Sequence, residues 1–291
     1  MDNKDWDILT TIYHEKNLSK ASQKLYISQP ALSYRINQLE KQFKITIFIR
    51  GKKFIKFTAE GEYLVQYAQK MKNNYIKLQD QLHDINETIS GELRISASSN
   101  FARYKLPTIL KRFHNLHPNI KFKIQTGPTS FILESMFHEL NHIYIASGNV
   151  DEKYPKMLLE QNRICLISKD PIELNELPDL PRIKFTMESS AKITDENWWQ
   201  ENFSRPPLIS MEVDKVETCK EMVLMGLGYG IVPEYLINND MDKEQLHTLP
   251  LTHKDGTYLL RNDWAYYFEN DLNLSFVNAF VLFLKDYYSI D

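Results

Sequence analysis

Leu64, Ala68, Met71, Tyr75, Leu78, Leu82, Ile85 and Ile89 follow one another at spacings of 4, 3, 4, 3, 4, 3 and 4, and neither Gly nor Pro interrupts residues 64–89. A repeat of 3.5 residues keeps one narrow apolar line on one side of a helix. A line that narrow needs a second helix to cover it, and the simplest partner is the same helix of a second copy. The spacing therefore predicts a long helix over residues 59–89 that pairs two chains, in a homodimer or homotetramer. The alternative is a long amphipathic helix packed on its own domain.

The segment before this helix is basic. Residues 1–58 hold eleven Lys and Arg against five acids, a net charge of +6, so the remainder of a chain of net charge −3 carries −9. Such asymmetry points to one part that meets a polyanion and another that does not. Apolar residues at mixed three–four spacing predict a short helix over Asp5–His14. Ser19 can cap a second helix, Tyr26-Ile27 makes a turn, and Ser28 caps a third helix with Pro30 in its first turn. Leu32, Ile36, Leu39 and Phe43 form the buried face of the third helix. Two helices across a tight turn form a helix-turn-helix, whose second helix reads base edges in the major groove of double-stranded DNA. Ser28, Gln29, Pro30, Ser33, Tyr34 and Asn37 are the candidate reading residues. The β-rich run Ile45–Phe57, broken by Gly51-Lys52-Lys53, reads as a hairpin wing, with Arg50, Lys52 and Lys53 set for phosphates.

The run NLSKASQKLYISQPALSYRINQL, ending at Leu39, resembles the DNA-binding signature of LysR-type transcriptional regulators. The match extends through Ile47-Phe48-Ile49-Arg50 and Phe57-Thr58-Ala59-Glu60-Gly61, where Thr58 caps the long helix. The resemblance implies a winged helix-turn-helix (residues 1–58), a dimerising linker helix (59–89) and a two-lobed, periplasmic-binding-protein-like α/β effector domain (90–291). It further implies crossovers near residues 161 and 265, with lobe one as 91–160 plus 266–291 and lobe two as 161–265. One departure is that Tyr34 and Arg35 stand where relatives place an Arg after the last Ser of the run, so base preference does not transfer.

From Gly91 onward, apolar β runs alternate with helical patterns, which favours mostly parallel sheets. The absence of an 18-residue apolar stretch or a signal-peptide pattern leads to the expectation of a cytoplasmic protein without a membrane partner. Four motifs point elsewhere. His138-Glu139-Leu140-Asn141-His142 fits H-E-x-x-H, the zinc-hydrolase motif, which needs both His on one intact helical turn. Asn141 reads as a helix stop and Ile143 begins a strand, so neither an enzyme nor a metal site or cofactor is expected. Cys165 and Cys219 lack metal or redox-pair spacing and read as buried thiols, with a redox signal as the alternative. Gly226, Gly228 and Gly230 follow a helix where a dinucleotide loop precedes one, and read as a tight return to a strand. Trp198-Trp199 reads as packing.

The candidate effector residues are Ser98, Ser99, Thr129 and Ser147, at the carboxyl ends of predicted strands or the starts of helices, and Arg261 as the cation. Val213–Met222 with the following glycines is similar to citrate-responsive LysR regulators of Gram-positive bacteria, which carry an arginine about where Ser147 stands. Citrate would lose a bidentate partner at that position. A smaller carboxylate or an amino-acid-like effector is the rival.

Overall fold

The computed structural model describes residues 1–51, 55–83, 89–148, 154–187, 189–237 and 245–290. The chain separates into two compact units, residues 1–88 with 138–140 and residues 89–137 with 141–291. No helix among the described residues is long and apolar enough to cross a membrane.

In the first unit, α1 (Asn3–Glu15), α2 (Leu18–Lys24) and α3 (Gln29–Phe43) precede a hairpin of β1 (Phe48–Arg50) and β2 (Ile55–Phe57), followed by α4 (Ala59–His83). Asp2 and Asp5 form a reciprocal capping box on α1, satisfying backbone N–H groups that a helix start leaves open. Asn17, not Ser19, caps α2; its side-chain oxygen accepts from the Lys20 N–H at 3.0 Å, and Ser19 lies inside the first turn of the helix. Ser28 caps α3 with Pro30 in its first turn, as expected. Leu32, Ile36 and Leu39 join Leu9, Ile12 and Ala21 in the core. Phe43, expected beside them, is 41% exposed, because α3 ends there and its ring faces an open apolar surface with Ile45, Tyr63 and Tyr67.

Thr58 caps α4, its hydroxyl oxygen accepting from the Gly61 N–H at 3.0 Å. Gly61 is required by packing. A Cβ there would lie 1.9 Å from the Ile47 carbonyl oxygen, so the helix approaches the strand entry as closely as backbone allows.

The second unit has two lobes that share strands. In the first lobe, β3 (Gly91–Ser98) lies parallel between β4 (Ile120–Gly127) and β5 (Ile143–Ser147). Antiparallel β11 (Leu260–Tyr267) extends the sheet and pairs in turn with β6 (Lys156–Ser168). Helices α5 (Ser99–Tyr104), α6 (Leu106–Leu116) and the C-terminal α10 (Ser275–Tyr287) supply Phe101, Phe113, Phe276 and Phe280 to its core, and α7 (Thr129–Phe137) supplies Ile132 and Met136.

The far half of β6 belongs to the second lobe, where it pairs antiparallel with β9 (Gly230–Pro233) and β10 (His247–Pro250). A parallel pair, β7 (Arg182–Phe185) and β8 (Ile209–Val213), joins alongside β9 through an Arg182–Tyr229 bridge. Helices α8 (Ser189–Asn202) and α9 (Val216–Leu224) complete the lobe. The expectation of mostly parallel sheets is corrected: the βα-type strands are parallel, but β6 runs from the first lobe into the second, β11 lies antiparallel to it and to β5, and the sheet is mixed. Gly228, with φ +150°, lies where a Cβ would fall 2.3 Å from the Pro181 carbonyl, so the glycine run makes the tight return into β9.

Candidate DNA-reading surface and effector cleft

On α3, Ser28, Gln29, Pro30, Tyr34 and Asn37 are exposed and Ser33 is half-buried. Tyr34 is 66% exposed, and Tyr26, in the turn before α3, is 94% exposed. Sequence reasoning assigned Tyr26 only to the turn; its positive φ of 55° is what swings so large an apolar group outward. The Ser19 hydroxyl donates to Gln29 Oε1 at 3.1 Å, so α2 orients a reading residue. Arg35 has a different task. It donates from Nε to Asp5 Oδ1 at 2.5 Å and from Nη2 to Asp5 Oδ2 at 2.8 Å, clamping α3 to α1. Burial pushes the Asp5 carboxyl up, but hydrogen bonds from Arg35 and the Asp2 backbone, with the guanidinium charge, outweigh it and hold the group below its ordinary range. Arg50 ends β1, and Lys52 and Lys53 lie outside the described residues.

The α4 seam divides. Leu64 and Ala68 are buried in the unit's own core, because α1 covers the first turns of the helix. The outward line there begins one position earlier, at Tyr63 and Tyr67, and continues through half-buried Met71 to Tyr75. Leu78 and Leu82 then stand 49% and 59% exposed. Ile89 is exposed, and Ile85 lies outside the described residues.

In the second unit a cavity of ≈ 410 Å³ opens between the lobes and is lined by Ser98, Ser99, Ser147 and Arg261 together. These residues come from the end of β3, the start of α5, the end of β5 and the start of β11. Thr129 does not line it; that hydroxyl donates to the Ser147 carbonyl at 3.3 Å, because Thr129 opens α7 behind the strand end. Ser98 stands at the α5 N-cap without capping it, and its Oγ lies 3.1 Å from Ser147 Oγ. Ser147 donates onward to Asp263 Oδ1 at 2.5 Å, Asn162 Nδ2 donates to Asp263 Oδ2 at 2.8 Å, and Lys105 lies 3.6 Å from the same carboxylate. Burial dominates at Asp263 and leaves its carboxyl above the ordinary range despite those partners. The network ties cleft hydroxyls to both strands that cross between lobes.

The opposite wall, formed by Phe185, Met187, Asp214, Lys215 and Glu217, was not among the residues expected from the sequence. Glu217 Oε1 accepts from Arg103 Nη1 at 3.0 Å and from the Tyr104 hydroxyl at 3.1 Å, bridging the lobes at the mouth. No local pattern marks these residues, which meet only when the two lobes face each other.

The zinc reading fails on geometry. Helix α7 ends at Phe137 and Glu139 has φ +50°, so the motif has no intact helical turn. His142 is buried with Nδ1 3.2 Å from the Arg94 backbone nitrogen and Nε2 2.6 Å from Arg94 Nη2. Both cysteines are buried and free; burial pushes Cys165 up to about 12 and Cys219 up to about 11, far from the thiolate a redox sensor needs. Trp198 and Trp199 are buried and donate to the Thr252 and Arg205 carbonyls, consistent with packing.

Residues 4–62 match the model of the bacterial regulatory helix-turn-helix protein, lysR family, and residues 86–289 match the LysR substrate binding domain. The chain belongs to the LysR family of transcriptional regulators. It is 37% identical over 285 residues to the HTH-type transcriptional regulator YraN of Bacillus subtilis, covering 98% of each chain. It is 30% identical over 281 residues to YkuM of the same organism, covering 96% of this chain and 95% of YkuM. Full-length CbnR complexed with its target DNA superposes with a TM-score of 0.70 at 14% identity, covering 98% and 99% of the two chains. Full-length AphB, the virulence activator of Vibrio cholerae, does so at 0.64 and 15% identity, covering 99% of this chain and 100% of AphB. At those identities the likeness is one of fold. This LysR-type regulator thus joins a DNA-binding helix-turn-helix to an effector-binding domain of mixed α/β type.

Proposed function

We propose that this LysR-type regulator acts in the cytoplasm as a homodimer, or a pair of dimers, that reads operator DNA through α3 and its wing and responds to a small carboxylate held at Arg261. One observation carries the effector assignment: Arg261, Ser98, Ser99 and Ser147 come from separate segments and converge on one cleft. An arginine offers a carboxylate two parallel charge-assisted hydrogen bonds, and the serines offer neutral donors. The exposed Tyr75, Leu78 and Leu82 line supports chain pairing through α4. The DNA complex of CbnR, a protein of the same fold, supports a DNA-binding role for this chain. Citrate fits less well than a smaller acid, because neutral Ser147 stands above the buried Asp263 carboxylate.

The test is a thermal-shift screen of organic acids and amino acids, since a ligand that binds only the folded state raises its stability. Calorimetry of Arg261→Ala with the stabilising acid follows. The expected loss is about 2 kcal/mol or more, against about 1 for removal of a single serine hydroxyl. Undiminished affinity in Arg261→Ala rules out this anion site.

A further inference from the structure

The polar cleft continues on its lobe-two side into a second chamber, also of ≈ 410 Å³. Arg261, Phe185 and Met187 line both spaces, so one arginine sits at the junction. Beyond it the walls are largely hydrocarbon, with Ile164 from β6, Ile231 and Pro233 from β9, Leu259 before β11, and Ala191 and Ile193 from α8. Thr194, Asp195, Asn197 and Asn262 also line it, and the Asp195 carboxylate is held by buried Arg182 at 2.5 Å.

The polar half limits how many carboxylates it can accept. Its lining cations Arg103, Lys215 and Arg261 stand against the carboxylates of Asp214 and Glu217, and Arg103 already pairs with Glu217. Asp263 lies buried beneath Ser147. A tricarboxylate would bring more negative charge than these groups balance, and a second carboxylate pushed into the apolar chamber would lose its hydration beside the Asp195 carboxylate, with Arg261 as the one cation among the described lining residues. An apolar body in that chamber gains from leaving water.

We infer that the effector is a monocarboxylic acid with an apolar body, its carboxylate at Arg261 and its hydrocarbon in the chamber bounded by Ile164, Ile231 and Leu259. This rests on the reading of the cleft as the effector site and names the ligand class that site selects.

Calorimetry of the full-length protein with straight-chain acids from butyrate to octanoate, and with citrate, tests it. Affinity should rise roughly fourfold per added methylene until the chamber is full, with citrate weaker than octanoate. Ala191→Trp, at a half-buried position on α8, fills the chamber and should flatten that rise, costing octanoate far more affinity than butyrate. Affinity that ignores chain length, or citrate binding tighter than octanoate, overturns the inference; loss of that binding in Arg261→Ala would then show that the anion site itself stands. A chain-length rise that persists undiminished in Arg261→Ala overturns the carboxylate seat and the effector reading with it. A rise unaffected by Ala191→Trp puts the hydrocarbon elsewhere and also overturns the inference.

Discussion

Arg35 and Asp5 show how a residue can look like a reader and act as a clamp. Asp5 is fully buried and both its oxygens accept from the guanidinium, so Arg35→Ala would leave a buried carboxylate with only the N-terminal ammonium, 3.9 Å away, to balance it. Urea denaturation of that variant should show a loss of about 3 kcal/mol. Because the folded Asp5 titrates below its ordinary value, its contribution is present at neutral pH and is lost as the pH falls through the carboxylate range. The wild-type N-terminal unit should therefore weaken on acidification, and Asp5→Asn should show a shallower acid dependence. The cysteines give a second residue-scale expectation. With burial raising them to about 12 and about 11, neither should react with a thiol reagent in the folded protein at a pH of about 8, and both should react in denaturant. Modification of the native state would revive the redox reading.

At the scale of the element, α4 serves two partners. Its first turns close the helix-turn-helix core through Leu64, Val65 and Ala68, and later turns present Tyr75, Leu78 and Leu82 outward. Replacing a helical glycine with alanine ordinarily stabilises by about 1 kcal/mol. At Gly61 the Ile47 carbonyl blocks the methyl, and overpacking of this kind costs about 2–3 kcal/mol. Gly61→Ala should thus lower the melting temperature. Leu78→Lys with Leu82→Lys tests the outward face. Two lysines there would place unpaired charges between paired helices, so light scattering should report half the wild-type mass or less. An unchanged mass would show that chains pair elsewhere.

For the whole molecule, charge separates the functions. If the +6 N-terminal segment meets phosphates and the −9 remainder does not, as proposed, DNA affinity should fall steeply with salt. Arg50→Ala should weaken binding to all sequences about equally and reduce the slope by about 0.9, one phosphate's worth. Ser33 and Tyr34 variants should instead change which sequences are preferred. A change of preference in Arg50→Ala with an unaltered slope would reverse the roles of wing and helix.

Local chemistry made much of this readable from the chain alone. Caps such as Ser28 and Thr58 and the proline in the first turn of α3 act within a few residues, so they identify helices without the fold; the heptad spacing and the charge asymmetry nominate α4 for pairing and α3 for reading. Asn17 displaced Ser19 as a cap because both sit within a turn of the helix start and only backbone geometry chooses between them. Leu64 and Ala68 turned inward because α1 folds back onto α4, a contact between segments about fifty positions apart in the chain. The cleft belongs to the tertiary structure most of all. Ser98, Ser147 and Arg261 could be named from strand ends and charge. The Ser147–Asp263–Asn162 network, the Glu217 bridge and the apolar chamber exist only because the chain passes between the lobes along β6 and returns at the start of β11, bringing their walls together.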